Sequence, residues 1–181
     1  MRMPPLPADS IHARACKLKC EKILTRPSEV ETFGIDESWI ELTGSPLLKE
    51  RTPHEIADEI RNTVKSEVGL TVSIGISFNK IFAKLGSDMK KPDAVTEIGR
   101  DTFRDQVWPL PVSDLLYVGR ATAEKLGRYC IRTIGDLANT ERDILRSLLG
   151  INGEKIWAYA NGLDASRVMP CDYTPPIKSI G

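Results

Sequence analysis

Between Thr52 and Lys90 the chain runs through a capped amphipathic helix, an apolar β-rich stretch and a second helix with short joints, a succession that few architectures accommodate. Thr52-Pro53-His54-Glu55 supplies an N-cap, a proline suited to the first turn and the glutamate of a capping box. Ile56, Ile60, Val64 and Val68 form the apolar stripe, and Gly69 ends the helix. Leu70-Thr71-Val72-Ser73-Ile74-Gly75-Ile76-Ser77 alternates as a strand, and a helix from about Asn79 to Lys90 follows until Pro92 halts it. Ala94-Val95-Thr96 reads as one more short strand. Upstream, Val30–Asp36 and Trp39–Leu42 read as a hairpin, closed by Gly44-Ser45-Pro46. Strand hairpin, helix, strand, helix and strand specify a small α/β (α+β) sheet, with its helices expected on one face.

The second half changes character. Short helices are separated by Gly, Pro and Thr, and Trp108-Pro109-Leu110-Pro111 breaks any continuous element, so a boundary is expected between about 98 and 110. At the other end residues 1–9 are Pro-rich, and Ala13, Ala15, Leu18 and Ile23 among Lys and Arg predict a helix over about 11–25. With 181 residues, 41% of them hydrophobic, the chain can bury a core in one or two domains.

Lys and Arg number 25 against 25 Asp and Glu, which excludes a global basic footprint and confines any nucleic-acid contact to local patches. No apolar run approaches the roughly 20 residues of a membrane span, and the start lacks a signal-peptide core, so a cytoplasmic protein with no membrane partner is expected. Cys16, Cys20, Cys130 and Cys171 include no CxxC pair and read as free thiols. His12, Cys16 and Cys20 would share a face of a helix there, but a structural zinc site needs a fourth ligand.

Three constellations carry chemistry. Asp36 and Glu37 are adjacent carboxylates beside an apolar strand, where they repel each other and lose hydration unless a divalent cation gathers their charge. Mg²⁺ is the natural candidate, since it takes hard oxygen ligands and completes its shell with phosphates. Strict strand geometry puts Thr32, Gly34 and Asp36 on one face; the alternative is an exposed hairpin whose Asp-Glu is merely its turn. On the second helix Lys80, Lys84, Ser87 and Lys91 follow at spacings of four, three and four, a lysine stripe suited to a polyanion or simply a solvated basic face. Finally, Leu115–Leu126 reads as helix, tight hairpin and helix, with Gly119 permitting the turn, and Leu149–Ile156 as a second such turn. A helix start there offers free N–H groups to a phosphate, and two turns of this kind fit a nucleic-acid backbone, or two ordinary helix junctions.

Together these segments resemble the Y-family translesion DNA polymerases, especially the bacterial DinB/UmuC type. The resemblance rests on Gly34-Ile35-Asp36-Glu37-Ser38-Trp39 with Leu42-Thr43-Gly44-Ser45, on Val72–Lys80 running into Ala83-Lys84-Leu85, and on Asp88-Met89-Lys90-Lys91-Pro92-Asp93. It continues through Thr122-Ala123-Glu124-Lys125-Leu126 and Ile131–Ala138. It implies an N-terminal segment over 1–28, part of a catalytic palm over 29–105, a helix-hairpin-helix thumb over 106–168 and a linker over 169–181 toward a little-finger domain.

By that resemblance Asp36 and Glu37 are the catalytic, metal-binding carboxylates of a two-Mg²⁺ nucleotidyl transfer. Lys91, with Lys84, faces the deoxynucleoside triphosphate, and Tyr117, Val118, Gly119, Arg120, Gly150 and Gly153 contact the DNA primer–template. DNA repair of damaged templates is the implied setting, with a sliding clamp as a partner through other parts of a full polymerase. Such a polymerase also has an Asp-x-Asp-x-Phe-Phe-like first strand and a fingers domain. Asp9, in a Pro-rich stretch, does not fit that strand, and Tyr117 stands where the family commonly has glycine. An internal piece of a polymerase, inactive alone, is therefore expected, with a non-catalytic DNA-backbone-binding module as the alternative.

Overall fold

The computed structural model describes residues 36–170 together with 30–34 and the backbone of 10–14. Five strands, β1 (Ser10–Arg14), β2 (Val30–Phe33), β3 (Glu37–Glu41), β4 (Ile74–Ser77) and β5 (Val95–Ile98), form one mixed sheet in the order β2-β3-β1-β4-β5. β1 lies antiparallel between β3 and β4, while β4 and β5 are parallel. The helix expected over 11–25 is thus a strand where it begins, because Ser10–Arg14 pairs on both sides and that pairing outweighs a weak helical pattern. The rest of that segment, with Cys16 and Cys20, lies outside the described residues.

Helix α1 (Pro53–Val68) starts as its sequence dictates. The Glu55 amide donates to the Thr52 hydroxyl at 3.2 Å, the Glu55 carboxylate accepts from the Thr52 amide at 2.7 Å, and Gly69 ends the helix at φ 72°. Those Thr52 bonds hold the Glu55 carboxyl below its ordinary value. Helix α2 (Lys80–Met89) is capped by Asn79, whose side chain accepts from the Phe82 amide at 2.8 Å.

The α/β class is as expected, but the two helices cover opposite faces of the sheet. Ile74 and Ile76 of β4 join Ile40 and Val30 against Ile56, Ile60 and Val64 of α1 in one fully buried cluster. Gly75, between those isoleucines, points the other way, where α2 lies so close that a β-carbon would sit 2.5 Å from the Ser87 amide nitrogen. A strand buried on both faces reads as continuously apolar, which is why sequence alternation did not separate the layers.

Five further helices follow: α3 (Phe103–Val107), α4 (Arg120–Gly127), α5 (Ile134–Asn139), α6 (Arg142–Leu149) and α7 (Ile151–Ala160). Their core is continuous with the outer side of α2: Phe78, Phe82 and Leu85 pack with Val107, Leu115, Leu126, Leu137, Leu145 and Ile156. Gly162, at φ 72°, lets the chain turn tightly over the Phe78 and Phe82 rings, and its carbonyl accepts from the Asn79 side chain at 3.3 Å. Among the described residues no helix is long and apolar enough to cross a membrane, and Cys130 is a free, exposed thiol.

Candidate functional site

The β2–β3 hairpin pairs Val30 with Ile40 and ends at Phe33 opposite Glu37. Asp36 therefore lies in the turn, exposed, beyond the last paired residue, so the strand face expected for Thr32, Gly34 and Asp36 stops short of it. Gly34 makes the turn with φ 72°. Glu37 opens β3 half-buried, and Lys84 of α2 reaches it at 3.1 Å. The side chains of this pair are 13% and 14% exposed, so the contact is largely shielded from solvent.

Lys84 also holds Asp88 one helical turn away, and Lys91 meets the same carboxylate. Burial pushes the Asp88 carboxyl up, but the hydrogen bonds and charges of Lys84 and Lys91 outweigh it and leave the group below its usual range. Lys80, one turn before Lys84, is buried: its ammonium contacts both Glu31 oxygens at 2.6 and 2.7 Å and stands 4.3 Å from the centre of the Trp39 ring. The Trp39 indole in turn donates to the Lys80 carbonyl at 3.0 Å. The lysine stripe is thus neither a bare polyanion track nor a solvated face; much of its charge is answered by Glu31, Glu37 and Asp88.

Glu31 further accepts from the Met169 amide at 2.8 Å, and Val168 is buried with Trp39 and Ala83. This ties the segment leaving α7 back to the sheet edge beside Glu37. Asp93, which ends the Asp88–Asp93 motif, faces α1 instead: Arg61 and Lys65 bind it at 2.8 and 2.6 Å and hold its carboxyl below the usual range.

In the second half a short 3₁₀ turn, Val112–Asp114, stands where a helix was expected before the first hairpin, since Pro109 and Pro111 leave too little chain to wind one. The hairpin runs through Leu116, Tyr117, Val118 and Gly119 into α4. The residue that needs the left-handed conformation is Tyr117, at φ 71°, whereas Gly119 is extended at φ −75°. The expected role of Gly119 as the permissive turn residue passes to Tyr117, at a backbone cost of about 1 kcal/mol or more.

The second turn is centred on Gly150, at φ 63° and ψ −145°, between α6 and α7. Gly153 packs closely in this turn: its amide donates to the Gly150 carbonyl at 3.0 Å, and its α-carbon faces α6, where a β-carbon would come within 2.6 Å of the Leu145 carbonyl carbon. Helices α4 and α7 both start at a glycine with no side-chain cap. The Tyr117 and Tyr159 rings, 5.8 Å apart, bring the first hairpin against α7, and Leu116 reaches the cluster of Trp39, Ala83 and Val168. The hairpin thus borders β3, the strand that opens with Glu37.

Known proteins fit this frame. The sequence model of the impB/mucB/samB family matches residues 5–88. DNA polymerase IV of Acetivibrio thermocellus is 52% identical over 152 residues, and the counterpart of Clostridium kluyveri is 41% identical over the same length. Those matches cover 84% of this chain and 38% of each relative, so the chain spans well under half the length of the curated proteins it matches. The solved fold is shared too, at a TM-score of 0.71 and 21% identity, with a structure described as a post-insertion binary complex of Dbh DNA polymerase, over 82% of this chain and 44% of that one. DinB from Sulfolobus solfataricus superimposes at 0.69, with 20% identity, over 82% of this chain and 45% of its own. The chain belongs to the Y-family DNA polymerases.

As a Y-family chain it carries the Asp36–Glu37 hairpin, the α2 lysines and the two later turns. The structure brings Glu37 and Lys84 together and sets the Tyr117 hairpin near them through Leu116. Lys91 meets Asp88 and is 38% exposed, leaving its ammonium accessible. Sequence reasoning missed Glu31, Trp39 and Tyr159. Their partners lie 49 and 138 residues away for Glu31 and 41 for Trp39, separations over which no periodicity signals contact.

Proposed function

We propose that this Y-family chain is a palm-and-thumb portion of a lesion-bypass DNA polymerase, and that by itself it holds primer–template DNA without extending it. One observation carries the reading: α4 and α7 each start at a glycine with no side-chain cap, the hairpin that leads into α4 meets α7 through Tyr117 and Tyr159, and the Arg120 side chain is 92% exposed at the start of α4. Amide groups and a cation at such a start hold phosphates without reading bases. Tyr117, Val118, Gly119, Arg120 and Gly150 are the backbone-gripping set in this reading. Polymerases of this kind serve DNA repair, in the cytoplasm for a bacterial chain, and both belong to the proposal.

Divalent metal is the chemistry of the family, and Mg²⁺ the ion we assign to Asp36 and Glu37. Two carboxylates, one already bonded to Lys84, fit a single weakly held hard cation. The strand beside them, in register at Arg14 with Glu37, is Ser10-Ile11-His12-Ala13-Arg14 and supplies no third carboxylate. Among the described residues no group of three His, Cys, Asp or Glu could hold a metal. Among the described residues the donor set does not fit a two-metal site, and no catalytic step is assigned to it. Lys91 is the residue we assign to a nucleotide triphosphate; Lys84 is better placed to hold Glu37.

Fluorescence anisotropy with a labelled primer–template, from about 50 to 200 mM salt, tests the reading. Binding is expected to be sequence-indifferent and to weaken steeply with salt, and Arg120→Ala is expected to reduce the log–log slope by about one. A wild-type protein that binds no DNA at low salt, or an Arg120→Ala slope equal to wild type, would overturn it.

A further inference from the structure

Between the two turns lies an open cleft of about 460 Å³, lined by Tyr117, Asn152, Lys155, Ile156 and Tyr159. We infer that this cleft is a subsite for one unpaired nucleotide, its base against the tyrosines and its phosphate toward Lys155 and Asn152. The inference rests on the DNA-gripping reading above and sharpens it, because a strand held at both turns must cross the cleft between them.

Four observations carry it. The volume lies within the range of small-molecule sites and is large enough for a nucleotide unit. Tyr117 takes a left-handed conformation that glycine adopts at no cost, and the residue is 62% exposed, so the strained position carries an aromatic residue at the surface instead of filling a core. The two rings meet at 35°, which leaves an outer face for stacking, and Ile156 is buried at the cleft wall. Lys155 and Asn152, both exposed, stand on the first turns of α7, on the side where its uncapped amides emerge.

Stacking on aromatic side chains is sequence-tolerant and contributes on the order of five- to hundredfold in affinity per base. Titration of a labelled oligo-dT and of a blunt duplex of equal length tests the subsite through the ratio of the two affinities. Tyr117→Gly, which suits the hairpin's backbone, and Tyr159→Leu, which keeps an apolar filler, are each expected to lower the single-strand to duplex ratio about tenfold. Tyr117→Phe is expected to keep it. A ratio within twofold of wild type in both Gly and Leu variants would overturn the subsite while leaving backbone gripping intact. Wild-type protein that binds neither DNA would overturn the gripping reading and the subsite with it.

Discussion

Gly75→Ala is expected to destabilise the protein by about 3 kcal/mol or more, a large fraction of the stability of a typical domain. The position sits on β4, central in the paired region, with α2 directly over it. An added β-carbon would lie 2.5 Å from the Ser87 amide nitrogen and closer still to the Ala83 carbonyl oxygen, and both are helix backbone atoms that cannot swing aside. Either α2 lifts off the sheet or β4 leaves its register with β1 and β5. The first choice breaks the Lys84–Glu37 contact, and the second breaks pairs on both sides of the strand. Chemical denaturation read by circular dichroism checks this, and a midpoint unchanged from wild type would show that α2 does not pack there.

Lys80→Met is the second large effect, expected at about 2–3 kcal/mol, or a fall in Tm of roughly 4–12 °C for a chain of this size. Removing the cation strands the Glu31 carboxylate, 21% exposed, beside Trp39, with the Met169 amide its remaining partner among the described residues. The cost of an unpaired half-buried charge exceeds the net value of the ion pair itself. The double variant Lys80→Met, Glu31→Gln should accordingly recover part of the loss, giving a coupling of about 1 kcal/mol or more in a double-mutant cycle. Additive losses would mean that the two side chains do not depend on each other.

These two sites also mark where the sequence spoke and where it was silent. Thr52, Pro53, Glu55 and Gly69 announce α1 because capping is chemistry within four residues, and Asn79 followed by an apolar stripe announces α2. The helix expected over about 11–25 rested on Ala13, Ala15, Leu18 and Ile23, a sparse pattern, whereas the state of Ser10–Arg14 is decided by two partners, β3 and β4, that lie later in the chain. Gly75 looked like one more residue of an alternating strand; only the approach of α2 explains it.

The candidate site was legible in its parts and not in its wiring. Asp36, Glu37 and the lysines stood out by adjacency and spacing. Their pairing crosses the fold, so that Lys80 and Lys84, which seemed surplus positive charge, prove to be counterions of Glu31 and Glu37. Gly119 attracted the turn assignment through the flexibility of glycine, while the backbone places the strain on Tyr117, a residue whose side chain hides it from pattern reading.

Single-nucleotide extension of a labelled primer–template with Mg²⁺, with bound DNA quantified in the same samples, tests the central claim most directly. Salt-sensitive binding without extension, indistinguishable from that of an Asp36→Ala, Glu37→Ala double variant, is the predicted result. Extension by the wild type that the double variant loses would contradict the account, because it would show a working catalytic site assembled from these 181 residues.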